Sequence, residues 1–182
     1  MDHQPIHEMT SYQAAQRGIQ LVPEDRRIIG GLSVEENLKL VQIEEPHGWS
    51  FERIYESFHR LAERRKQEAV TLSGGEQQML AVARALARDL KLLMLEPYKG
   101  LAPVIREVIA RIVVDIRDLG ITTIIVEQDA MALLQYSDRA VILDSGEMAF
   151  SGSAVKVHDD KQLREQYLSA REFICLLKEE RG

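Results

Sequence analysis

The chain has one cysteine in 182 residues, so no disulfide can form within it. It has no excess of basic charge: 23 Lys and Arg against 29 Asp and Glu leave a formal charge of −6, which excludes general binding to a nucleic-acid backbone. No apolar run approaches the roughly 20 residues that cross a bilayer, so direct membrane insertion is not expected. The amino terminus lacks a charged leader followed by an apolar core, and with the lone Cys175 this sets the expectation of a cytoplasmic protein. There are no internal repeats and no low-complexity segments. What remains is a chain that is 45% hydrophobic, the composition of one globular domain able to bury a real core.

Apolar periodicity places the elements. Ile19 to Val22 is β-prone and ends at Pro23. The following "PEDRRIIGGLSVEENLKL" reads as a loop turning into a helix near Ser33, where Glu36 three residues on completes a capping box. Phe51, Ile54, Tyr55, Phe58 and Leu61 recur at steps of three and four, predicting one helix with an apolar face. Helical spacing returns from Glu76 to Arg88, and "KLLML" then reads as a strand buried in a parallel sheet. Pro103 suits the first turn of a helix striped by Val104, Val108, Ile112 and Ile116 and closed by Gly120. "ITTIIVE" is a second buried strand, a short helix follows at Ala130 to Gln135, and "RAVILDSGEMAFSG" is a hairpin around Asp-Ser-Gly. Alternating strands and helices give an α/β fold, a parallel sheet with a late antiparallel hairpin.

One stretch points to chemistry. In "LSGGEQQMLAVARAL", Ser73 with Glu76 is at least an ordinary helix start. A serine hydroxyl and glycine amides at such a start also make an anion site, because the first N–H groups of a helix are unpaired and its dipole favours negative charge. One strand later Glu96 places a carboxylate at a strand's carboxyl end, the edge at which open α/β sheets bind ligands.

Together these stretches resemble the later part of an ABC transporter ATP-binding subunit, of the LivF type found in branched-chain amino acid importers. "LSGGEQQMLAVARAL" is similar to the family signature, "EPYKGLAP" to the end of the Walker B strand with the D-loop, and "IIVEQDA" to the switch region. "GIQLVPEDRR" is similar to the Q-loop, and "LSVEENL" to the segment after it. The resemblance implies a partial P-loop NTPase fold: a helical signature subdomain at about 33–88, with 1–32 and 89–182 as the rest of a RecA-like core. It implies that Ser73, Gly74, Gly75 and Gln77 contact the γ-phosphate of ATP held by a second ATP-binding subunit. Glu96 would be the general base. Glu24 takes the Q-loop position that couples to a membrane permease, and Gln128 the switch position, where glutamine can hydrogen-bond a phosphate but not titrate near neutrality. Glu24 also reads as a plain loop carboxylate, and Gln128 as a polar cap after a strand. The expected ligands are ATP and Mg²⁺, and the expected location is cytoplasmic, peripheral through a permease.

The chain departs from that family at two places. No Gly-x-x-x-x-Gly-Lys-Ser/Thr occurs in residues 1–182, so the loop that cradles phosphates is missing from this sequence, whose first fifteen residues correspond to the segment just before the Q-loop. The family strand ends Asp-Glu-Pro, whereas this one reads Leu95-Glu96-Pro97, and a metal-holding carboxylate is gone. Weak ATP binding by the isolated chain is therefore expected. Two readings stay open: an ATP-hydrolysing importer subunit seen in part, or a non-catalytic module or gene remnant offering only the signature face. An absent P-loop strand should leave a sheet edge unpaired, with self-association or partner dependence as the result, the alternative being that the remaining strands pair directly across the gap and give a compact monomer. His3, His7, His47, His59 and His158 show no metal-ligand spacing, and no metal site is expected from them. Met79 and Met94 read as core filler, and Trp49 and Phe51 as packing residues or, alternatively, as an exposed contact with another subunit.

Overall fold

The computed structural model describes residues 5–41, 48–96, 103–127, 131–167 and 172–177, and they form an α/β protein in two compact units. The first comprises 1–22 with 26–93, and the second 23–25 with 94–182.

In the first unit, α1 (Ser11–Gln16) is capped by Thr10 and leads through Gly18 into β1 (Ile19–Val22). Gly18 sits at φ +80, and its carbonyl accepts from the N–H groups of Lys91 and Leu92 at 2.9 and 3.1 Å. That anchors β1 beside the start of β2 (Leu92–Leu95). α2 (Val34–Lys39) starts at the expected capping box: the Ser33 hydroxyl donates to Glu36 at 2.6 Å and accepts from its N–H. The helix read at 51–61 is two, α3 (Phe51–Ser57) and α4 (His59–Glu63). Phe58 between them leaves helical geometry at φ −117, ψ 68, yet stays 1% exposed, because the break keeps the apolar face in phase. α5 (Gly74–Leu86) is the long helix of this unit, and Leu80 and Val82 join Val34, Leu38, Ile54 and Leu61 in a fully buried core.

In the second unit, α6 (Pro103–Asp118) ends at Gly120, φ +76, with Ile121 N–H returning to the Ile116 carbonyl. Its buried stripe is Ile109, Ile112, Val113 and Ile116. Val104 is exposed, so the expected stripe was offset toward the wrong side of the first turns. β3 (Thr122–Glu127), α7 (Met131–Leu134), β4 (Arg139–Asp144) and β5 (Glu147–Ser153) follow. The β4–β5 turn is the expected tight one: Ser145 and Gly146 both take positive φ, 52 and 84, the pairing whose twist matches a two-residue hairpin.

Nothing in the apolar spacing after the hairpin marks a further element. The structure adds α8 (Ala154–Asp159), α9 (Lys161–Tyr167) and β6 (Glu172–Leu177). β6 lies between β3 and β4, antiparallel to both, so the sheet is mixed and not parallel with a terminal hairpin alone. The expected unpaired interior edge is not found there: β6 closes it from within the chain. Among the described residues no helix is long and apolar enough to cross a membrane.

Candidate functional site

The first unit gathers Ser73, Gly74, Gly75 and Gln77 on the opening turn of α5. Glu76 builds that turn. Its carboxylate accepts from the Ser73 N–H and hydroxyl at 2.9 and 2.8 Å and from Arg64 Nε at 2.6 Å. Burial works to raise the Glu76 carboxyl, but the two Ser73 hydrogen bonds and the Arg64 cation outweigh it and hold the group below the ordinary carboxylate range. A carboxyl depressed in the folded state contributes stability that is present above its unfolded value and lost as pH falls through the folded one. Glu76→Gln should therefore destabilise the protein by ~2 kcal/mol at neutral pH. The gap to the parent should narrow below the ordinary carboxylate value, as urea titrations across pH would show.

Gln77 is already engaged. Its Nε2 donates to the carbonyls of Val70 and Leu72 at 3.0 and 3.1 Å, and its Oε1 accepts from Arg26 Nη1 at 3.4 Å. The amide thus ties the turn before α5 to its first turn, and contact with a phosphate would require it to exchange partners.

Sequence reasoning missed Arg26. Its guanidinium stands over Gly74, with both terminal nitrogens 3.3 Å from where a Cβ would sit, so this glycine leaves room for a cation beside the exposed Ser73. Arg26 and Arg27 both hold left-handed backbone, φ 57 and 45, which costs ~1–2 kcal/mol per non-glycine residue. Arg84 of α5 holds that turn, donating to the Arg27 carbonyl at 2.6 Å, and burial lowers the pKa of its guanidinium. No sequence signal marks such a turn, because arginine is not a residue that favours it.

In the second unit, Glu96 follows β2, half-buried, and its Oε2 accepts from the Glu24 N–H at 3.4 Å. The Glu24 side chain is exposed. Gln128 lies outside the described residues, as do the D-loop residues 97–102. Leu95, which precedes Glu96 where the family strand has its metal-holding aspartate, is 2% exposed and its side chain offers no oxygen. Among the described residues no group of three or more His, Cys, Asp or Glu could hold a metal ion. The described residues do not by themselves fit Mg²⁺.

The ABC transporter family profile matches residues 1–98. The chain is 40% identical over 156 residues to the high-affinity branched-chain amino acid transport ATP-binding protein BraG of Pseudomonas aeruginosa, covering 84% of this chain and 67% of that one. It is 38% identical over 154 residues to a probable branched-chain amino acid transport ATP-binding protein LivF of Archaeoglobus fulgidus, covering 82% and 65%. Among solved structures, a dimeric ATP-binding cassette in a post-hydrolysis state bound to ADP and Pi superposes with a TM-score of 0.68 at 22% identity, over 85% of this chain and 72% of that one. The chain spans about two thirds of the length of the curated relatives it matches.

Proposed function

Because this chain belongs to the ABC transporter ATP-binding family, we propose that it works as the signature-bearing face of a branched-chain amino acid importer, completing an ATP site on a second ATP-binding chain. The observation that carries this reading is the opening turn of α5. There the exposed Ser73, whose hydroxyl proton goes to Glu76 at 2.8 Å and would have to exchange partners to reach a phosphate, the Gly74 and Gly75 amides and the Arg26 guanidinium meet at the positive end of a helix 13 residues long. Such a group suits the γ-phosphate of a nucleotide whose other phosphates another chain holds. ATP and Mg²⁺ come with that chain. Glu96 keeps the general-base position by resemblance, and it takes part only where a P-loop-bearing half lies beside it. Residues 33–88 are the helical part offered to a permease, Glu24 keeps the Q-loop position by resemblance, and the permease brings the protein to the cytoplasmic face of the membrane.

Two experiments test the reading. Calorimetry with ATP–Mg²⁺ on the isolated chain should give a dissociation constant weaker than ~1 mM and no turnover above background. Mixed with the ATP-binding protein BraG and added ATP–Mg²⁺, the chain should form a complex that requires nucleotide and is abolished by Ser73→Arg. Micromolar ATP binding by the chain alone, with turnover lost in Glu96→Gln, would show an autonomous ATPase. A BraG complex indifferent to ATP or to Ser73→Arg would remove the signature-face reading.

A further inference from the structure

β3 and β4 are neighbours in sequence but not in the sheet. Between them runs β6, pairing Thr123–Glu127 of β3 with Leu177–Phe173, and Arg139–Leu143 of β4 with Leu176–Glu172. With adjacent strands about 4.8 Å apart, β3 and β4 stand ~10 Å from one another, too far to bond directly. They frame a slot one strand wide.

The slot has a side-chain requirement. Cys175 is opposite Ile125 on one side and Ala140 on the other, and all three are fully buried. Leu177, two residues on and on the same face, is buried opposite an equally buried Thr123. Ile174 and Leu176 on the alternate face are half-buried. Beyond the ladder itself, the Asp138 N–H donates to the Leu176 carbonyl at 3.0 Å. The slot therefore takes an extended apolar segment with a small residue at its inward centre and an aliphatic one two places later. Ladder hydrogen bonds use only backbone, so any strand that meets this pattern makes the same bonds.

Chain order leaves the occupant removable. β3, α7, β4, β5, α8 and α9 follow one another without passing through β6, which comes after them all. Its departure unthreads nothing and cuts no connection among the elements that frame the slot.

We propose that the gap between β3 and β4 is a strand-acceptor site, and that β6 is an exchangeable occupant which an extended apolar peptide of the same pattern displaces. Opening of this kind is a sub-global event, in which one strand leaves while the rest of the molecule stays folded. The slot then binds a partner strand by β-augmentation on both of its sides.

Cys175, the only thiol in the chain, reports on the occupant, because it is fully buried while β6 is docked. The test uses the full chain and a lysine-flanked peptide copying residues 171–178 with Cys175→Ser, so that every reacting thiol belongs to the protein. Without peptide, Cys175 should react with a chromogenic disulfide at least ~100-fold more slowly than in urea. Excess peptide should raise that rate ~10-fold, saturably, while a scrambled peptide leaves it unchanged. Hydrogen exchange should show β6 amides losing protection as those of α6, in the same unit, keep theirs. The proposal falls if the peptide leaves the thiol rate unchanged, if α6 loses protection together with β6, or if Cys175 already reacts at its unfolded rate in the untreated chain.

Discussion

Replacing Asn37 by leucine will destabilise the protein by ~3 kcal/mol, although the two side chains are close in size. Asn37 is fully buried on α2 and binds the incoming loop at both ends of its amide. Oδ1 accepts from the Ile29 N–H at 3.1 Å, and Nδ2 donates to the carbonyls of Ile29 and Ser33, each at 3.1 Å. Leucine would fill the space and remove the partners of the Ile29 N–H and carbonyl, while the Ser33 carbonyl keeps the Asn37 N–H at 2.9 Å, and leaving a buried donor or acceptor unmade costs ~1–3 kcal/mol per group. Asn37→Asp keeps the acceptor but loses the donor and buries a charge, so it should not rescue stability. Urea unfolding followed by circular dichroism gives the answer as a shift in midpoint. A leucine variant within ~0.5 kcal/mol of the parent would show that the loop finds other partners.

The second large effect is expected at Gly48. A Cβ there would run into the Arg88 carbonyl oxygen and stand 2.7 Å from the Leu86 oxygen, and both obstacles are backbone. No rotamer change relieves such a clash. The segment is also fixed by the Trp49 N–H, which donates to the Leu86 carbonyl at 2.8 Å. Gly48→Ala should then lift the segment off the end of α5 and destabilise by ~3 kcal/mol. Trp49, the chain's only tryptophan, is 5% exposed and stacked under Arg53 at 4.0 Å, so its emission should shift to the red in the variant before urea is added. Unchanged emission and midpoint would mean that the chain accommodates the methyl group without moving.

The parts of this fold that could be read from sequence are those whose signal is local. "KLLML" and "ITTIIVE" announce β2 and β3 because short continuous apolar runs fit a strand covered on both faces, and Ser33 and Ser73 announce helix starts through glutamates three residues on. The break at Phe58 was hidden because the second helix resumes in phase, leaving apolar spacing intact. β6 was hidden for a different reason: Glu172 to Leu177 makes sense as a strand only beside β3 and β4, and nothing within six residues states that pairing. At the candidate site, Ser73, Gly74 and Gly75 were legible as a turn that welcomes an anion. Arg26 was not, since its place over Gly74 depends on two left-handed arginines and on Arg84, 57 positions beyond the carbonyl it holds. Gln77 was legible as polar and near the turn, but not as an amide already bound at both ends.

The place of β6 also sets the order in which the second unit can assemble. β4 and β5 close around two residues, so their hairpin forms on the microsecond scale. The partners in the β3–β6 ladder lie roughly fifty residues apart in sequence, and a loop of that length must be ordered before its first contact is rewarded. Refolding should accordingly have two clocks: an early one in which the hairpin is present and β3 and β4 stand separated, and a late one set by the search of the last strand for its groove. During the interval between them the unit is a sheet with an open seam, and the length of that interval, more than the strength of the finished ladder, decides how often another strand arrives first.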